Sequence, residues 1–179
     1  MRPVAGFIKP RVAVALLSLS VAGSAAWMSS EGFSAEPYIP TTGDVPTIGN
    51  GSTHYEDGTP VRLTDPPITR ERAAKLANNL AQRDQDALKR SIPDAALSQQ
   101  EYDSYVDFIG QYGIGTWAKS SMRANVRAEQ YRAACDALLK YKFQAGRDCS
   151  RPENWGPHGC KGVWVRQQER HARCLGGLQ

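Results

Sequence analysis

Cysteine is missing from the first 134 residues of this 179-residue chain, and charge is missing from residues 12 to 30. All four cysteines, Cys135, Cys149, Cys160 and Cys174, fall near the C-terminal end with gaps of 14, 11 and 14. No C-x-x-C pair exists, which argues against structural zinc and against thioredoxin-like redox chemistry. Two disulfides are the better reading, and they require an oxidising compartment such as a periplasm or the cell exterior. Basic runs are lacking too: 22 Lys and Arg against 18 Asp and Glu leave a net charge of +4, spread along the chain. Without a basic tract, a zinc-finger spacing or an aromatic RNA-binding signature, nucleic acid is not an expected partner. Anionic lipid and bacterial cell wall remain. The three histidines, His54, His158 and His171, are scattered in no metal-ligand pattern, and no metal or cofactor is expected. Internal repeats and low-complexity tracts are absent, and the length suits one domain with its own core.

The charge-free stretch VAVALLSLSVAGSAAWMSS follows MRPVAGFIKPR, which carries Arg2, Lys9 and Arg11. A positive flank before an apolar run is an export signature that leaves the N-terminus inside. As a helix the 19 residues would extend roughly 28 Å, just enough for a hydrocarbon core of about 30 Å. Eleven of the 19 are Ala, Ser or Gly. Leu16, Leu17, Leu19 and three valines contribute only about 2–3 kcal/mol of insertion free energy, so such a span can leave the bilayer again. Ser24-Ala25-Ala26 also presents the small residues of a signal-peptidase site, which makes cleavage the competing reading. Glu31, the first acidic residue of the chain, lies just beyond that cut. A carboxyl that does chemistry needs rigid support on its N-terminal side, and cleavage after Ala26 would leave only Trp27 to Ser30, so retention is favoured.

Residues 31–68 are rich in Gly, Pro and Thr and read as one or two small hairpins. Their β-prone pieces lie around Tyr38-Ile39, Thr47-Ile48 and Val61–Leu63, and Gly43-Asp44 and Asp57-Gly58 are the turn candidates. Thr69 then resembles an N-cap, and the spacing of Ala73, Leu76, Ala77, Leu80, Ala87 and Leu88 predicts a long helix to about Ser91. Ser98 with Glu101 forms a capping-box pattern ahead of a helix ending near Gly113. A shorter helix is expected over Ser120–Val126, another from Tyr131 to Gly146, a loop from Asp148 to Gly159, and a last helix over Gly162–Leu175.

Glu31-Gly32-Phe33, Pro37-Tyr38 and the string Gly43-x-Val45-Pro46-Thr47-Ile48-Gly49-x-Gly51-x-Thr53 closely resemble the catalytic segment of phage-type lysozymes of glycoside hydrolase family 24. Phe108, Gly113, Ser120-Ser121 and Gly162-Val163 with Arg166 and Glu169 extend the resemblance over roughly residues 31–175. It implies an α+β, mainly α, lysozyme-like two-lobed fold. The divisions would be an N-terminal segment 1–30 and a catalytic domain 31–179, with a β-rich lobe 31–68, a connecting helix 69–92 and a helical lobe 93–179. It also implies a muramidase, an endolysin that cuts the β-1,4 bond between N-acetylmuramic acid and N-acetylglucosamine in peptidoglycan, working as a monomer. Glu31 would be the general acid and Thr47 would position water.

The family's Asp nine positions after the Glu is replaced by Pro40, and Thr47 stands one residue further from Glu31 than usual. Asp44 is the nearest carboxylate left in the hairpin and is the candidate for activating water, against the plainer reading that it stabilises its turn. Arg166 and Glu169 are expected to form a structural ion pair. Relatives often carry a cysteine pair at positions resembling Cys135 and Cys174, which implies Cys135–Cys174 and Cys149–Cys160, with two other pairings open.

Residues 12–30 also resemble the signal-arrest-release segment of some phage endolysins. That implies tethering in the host inner membrane, N-terminus cytoplasmic and catalytic domain periplasmic, then escape into the periplasm on depolarisation. The freed segment would pack as a helix on the domain and deliver Glu31. Residues 1–30 contain no cysteine, so control by position is favoured over control by disulfide exchange. The competing functions are a non-catalytic, membrane-tethered wall-binding protein and a lytic transglycosylase.

Overall fold

The structure, a computed structural model, describes residues 10–29, 32–40 and 45–177. The charge-free segment is not one helix. It is divided into strand β1 (Val12–Ala13), a 3-10 turn over Val14–Leu16 and helix α1 (Val21–Ser29). Among the described residues no helix is long and apolar enough to cross a membrane.

Polar groups of the domain account for that break. The Gln85 side-chain oxygen accepts from the Leu19 amide at 2.8 Å, and the Asp103 carboxylate accepts from the Ser20 amide and hydroxyl. The Ser20 hydroxyl in turn accepts from the Gly23 amide at 2.9 Å, so a new helix starts there. Val14 and Leu17 are buried in the main core, and Trp27 packs on Ala77 and Ala81. The Trp27 indole nitrogen occupies the place that a Cβ at residue 110 would take, and Gly110 permits that approach.

The β-rich lobe holds β2 (Ser34–Tyr38) antiparallel to β3 (Thr47–Gly49), with a shift of register between Ser34 and Tyr38. The β-prone piece at 61–63 forms no strand. Pro60 supplies no amide hydrogen for a ladder, and what remains is a bridge between His54 and Pro60 and a bond from the Val61 amide to the Thr53 carbonyl. Val61 joins Ile48 and Leu76 in the small core of this lobe.

Helix α2 (Arg70–Ser91) leads away from that lobe, with the Thr69 hydroxyl accepting from the Arg72 amide as its cap. Strand β4 (Ala96–Leu97) pairs with β1. Helix α3 (Gln99–Ala118) opens with the capping box of Ser98 and Glu101 and breaks at Gly113, whose φ of 78° is non-helical. Helix α4 (Ser121–Arg127) is capped by Ser120.

Helix α5 (Tyr131–Asp136) gives way to a 3-10 turn over Ala137–Lys140, so the helix expected to reach Gly146 stops short. Ala145 and Gly146 both take positive φ, 49° and 77°, which turns β5 (Phe143–Gln144) back onto β6 (Arg147–Asp148). After a short 3-10 turn at Pro152–Asn154 comes α6 (Lys161–Gly176). Disulfides join Cys135 to Cys174 and Cys149 to Cys160. The first fastens α5 to α6, and the second closes the loop before α6. Helix α3 is the centre of the helical lobe, with Tyr102, Tyr105, Phe108 and Ile109 buried against α2, α6 and the N-terminal segment.

Asp84 on α2 has a buried carboxylate oxygen without a hydrogen-bond partner among the described residues. Burial pushes its carboxyl up to about 6, against a smaller downward pull from Arg83. A folded value above the unfolded one means the native state holds a proton that the unfolded chain has released, so stability rises as pH falls from about 6 toward about 4. Asp84→Asn is expected to stabilise the protein by about 1–2 kcal/mol at pH 7, allowing for the partial burial, and to have no effect near pH 4. Thermal unfolding at the two pH values checks this.

Candidate active site

Glu31 and Asp44 lie outside the described residues, as does the Gly43-Asp44 turn. What is defined is the frame on either side of Glu31. Helix α1 precedes it, seated by Trp27 on α2 and α3. Gly32 follows it, and the Gly32 carbonyl accepts from the Asn50 side-chain amide at 2.5 Å. Asn50 is the residue after β3, and Ser34 opposes Gly49 in the hairpin. The Arg70 guanidinium covers the Phe33 ring at 4.2 Å, which ties the same segment to the start of α2. The described residues on either side of position 31 are thus anchored, Trp27 on α2 and α3 and Gly32 on the residue that follows β3.

Thr47 is the one candidate catalytic side chain that the described residues include. It is buried in β3, opposite Tyr38. Its hydroxyl donates to the Val45 carbonyl at 3.1 Å. With the proton spent there, the oxygen offers lone pairs, so a water beside it would donate to Thr47 and keep its own lone pair free for attack.

Between α1, α3 and α6 is a cavity of about 610 Å³, lined by Ala26, Asp107, Gln111, Lys161, Arg166 and Arg173 among others. Its floor is a charged cluster that sequence reasoning missed. Asp107 on α3 accepts from Arg166 at 3.1 Å, from Arg170 at 2.9 Å through two nitrogens and from Arg173 at 3.3 Å. Burial alone would push the Asp107 carboxyl up, but the hydrogen bonds and charges of Arg170 and Arg166 outweigh it and hold the group below the usual carboxylate range. Arg170, itself fully buried, also donates to the Gln111 side-chain oxygen at 2.6 Å. Gln111 is left with its amide hydrogens to offer to the cavity.

Among the described residues Arg166 pairs with Asp107, and the pair with Glu169 expected from sequence is not formed there. The signal for the cluster was present in Arg166, Arg170 and Arg173, which stand at i, i+4 and i+7 on one face of α6.

A cavity with charged and amide groups, bordered by α1, suits a polar ligand, and the hairpin separately carries an oriented threonine. Comparisons with known proteins agree in kind. The family model described as "Phage lysozyme" matches residues 28–151. The chain is 31% identical over 133 residues to the endolysin of Salmonella phage P22, covering 74% of this chain and 88% of that protein. A crystal structure of a P22 lysozyme variant superposes with a TM-score of 0.70 at 26% identity, over 89% of this chain and 99% of that one. The endolysin of Escherichia coli O157:H7 phage FAHEc1 shares the fold with a TM-score of 0.72 at 22% identity, covering 89% and 94%. The family match spans most of the chain and begins three residues before Glu31, and on that ground the chain belongs to the phage lysozyme family, whose members are glycoside hydrolases.

Proposed function

We propose that this enzyme is an endolysin that hydrolyses the β-1,4 bond between N-acetylmuramic acid and N-acetylglucosamine in bacterial peptidoglycan at host lysis. Glu31 is the general acid. It protonates the glycosidic oxygen as the sugar develops oxocarbenium character, and a water attacks from the opposite face. Thr47 orients that water through the lone pairs left by its bond to Val45, and Asp44 takes its proton. The observation that carries this reading is the double anchorage around position 31, α1 on one side and the Asn50 bond to Gly32 on the other.

The same anchorage supports regulation by location. Residues 12–30 hold the enzyme in the host inner membrane, catalytic domain in the periplasm, until depolarisation frees them. Once free they take the packed form described above, and the enzyme acts as a periplasmic monomer.

Product analysis tests the chemistry. Peptidoglycan digests should contain muramic acid with a free reducing end, formed as the α-anomer if the mechanism inverts. Anhydro-muramoyl ends would instead establish a lytic transglycosylase, which needs no water-activating carboxylate.

A further inference from the structure

We infer that Arg11 works in both states of the enzyme, as part of the charge that holds the N-terminal flank inside the cell and, after release, as the lock that fastens the freed segment to the helical lobe. The inference rests on the tethering proposed above. The geometry of the lock is independent of it.

The Arg11 guanidinium meets Glu101 in a bidentate pair, Nε to Oε2 at 3.0 Å and Nη2 to Oε1 at 2.7 Å. The Glu101 side chain is 0% exposed and that of Arg11 is 19% exposed. The guanidinium also lies 3.6 Å from the centroid of the Tyr131 ring, a face that favours a planar cation. Glu101 Oε2 simultaneously accepts from the Ser98 amide in the capping box at 2.8 Å, so its position is fixed before any arginine arrives. Immediately downstream, β1 pairs with β4, the Val14 amide donates to the Ala95 carbonyl at 2.9 Å, and Val14 and Leu17 enter the core. Each of these contacts places Arg11 on the same side of the membrane as the catalytic domain.

In the tethered topology Arg11 belongs to the positive flank, with Arg2 and Lys9, on the cytoplasmic side. The two locations are therefore exclusive, and the pair with Glu101 forms only after Arg11 has crossed. An inside-negative potential opposes that crossing. For each positive charge it biases the distribution toward the tethered form by roughly 50-fold per 100 mV. Depolarisation removes this bias, and the buried carboxylate then holds the guanidinium against return.

Two measurements on full-length protein separate the roles. The first is the fraction found outside the membrane of energised cells before uncoupler is added. The second is the thermal unfolding midpoint of the purified soluble protein. Arg11→Gln should raise the first and lower the second by roughly 5–10 °C. Arg2→Gln, which leaves Arg11 in place, should raise the first alone. Glu101→Gln, which retains a capping side chain, should lower the second alone.

An Arg11→Gln protein that matches wild type in either measurement overturns the dual role. So does a Glu101→Gln protein with an unchanged midpoint. Wild-type protein already soluble before depolarisation overturns the tether and the hold together, and the midpoints then decide the lock by themselves.

Discussion

Glu31→Gln is expected to lower turnover on purified peptidoglycan by about a thousandfold while leaving the fold and wall binding in place. The amide keeps the shape of the side chain but has no proton to give, and general acid catalysis of this kind is worth about 10²–10⁴-fold. Because the substitution removes an interaction needed in the transition state and not in the ground state, kcat should fall and KM should change little. Turbidity loss of a peptidoglycan suspension gives the rate, and sedimentation of protein with the insoluble wall reports binding. A fully active amide variant would overturn Glu31 as the general acid. A wild-type protein that binds wall but never cuts it would favour the non-catalytic reading instead.

Asp107→Ala is expected to cost about 3–5 kcal/mol of stability. The reason is what it leaves behind: Arg170, fully buried, would lose both of its hydrogen bonds to the Asp107 carboxylate, keeping at that residue only the one to the backbone carbonyl, and a buried charge stripped of its counter-ion is costly. Arg166 and Arg173 would lose their bonds to the same carboxylate, and the floor of the cavity would go with them. Acid should mimic the change. The Asp107 carboxyl is held below its ordinary range in the fold, so its contribution is present above an unfolded value of about 4 and is lost as pH falls through the lower folded value. Urea midpoints of wild type and variant should therefore converge at strongly acidic pH. Midpoints that differ equally at all pH values would place the stabilisation elsewhere than in these ion pairs.

Local signals read well in this chain. Thr69 and the Ser98–Glu101 capping box start helices where the sequence says they should, because a cap is satisfied by residues three positions away. The helix after Tyr131 failed for the opposite reason. Its apolar spacing continues past Leu138, but the Ala145-Gly146 turn and the Cys149–Cys160 bridge give that stretch a hairpin and a closed loop.

That the N-terminal segment divides into a strand, a turn and a helix was not legible in its own residues. Its breaks are set by Gln85 and Asp103, acceptors 66 and 83 residues away in sequence, and its seat by Gly110. The Asp107 cluster was hidden in the same way. Its acid sits among the aromatic residues of α3, and its arginines come 59 to 66 residues later. The hairpin motif around Thr47 named a family, whereas the groups that shape the cavity come from packing that no short motif encodes.

The proposed function requires residues 11–29 to remain a working part of the enzyme. They supply Val14 and Leu17 to the core, and α1 to the approach of Glu31. The intact mass of active protein recovered from the periplasm after lysis is triggered measures this most directly. The expected mass is that of a chain that still carries the whole N-terminal segment, with two disulfides. A fully active protein whose mass corresponds to cleavage after Ala26 would contradict it.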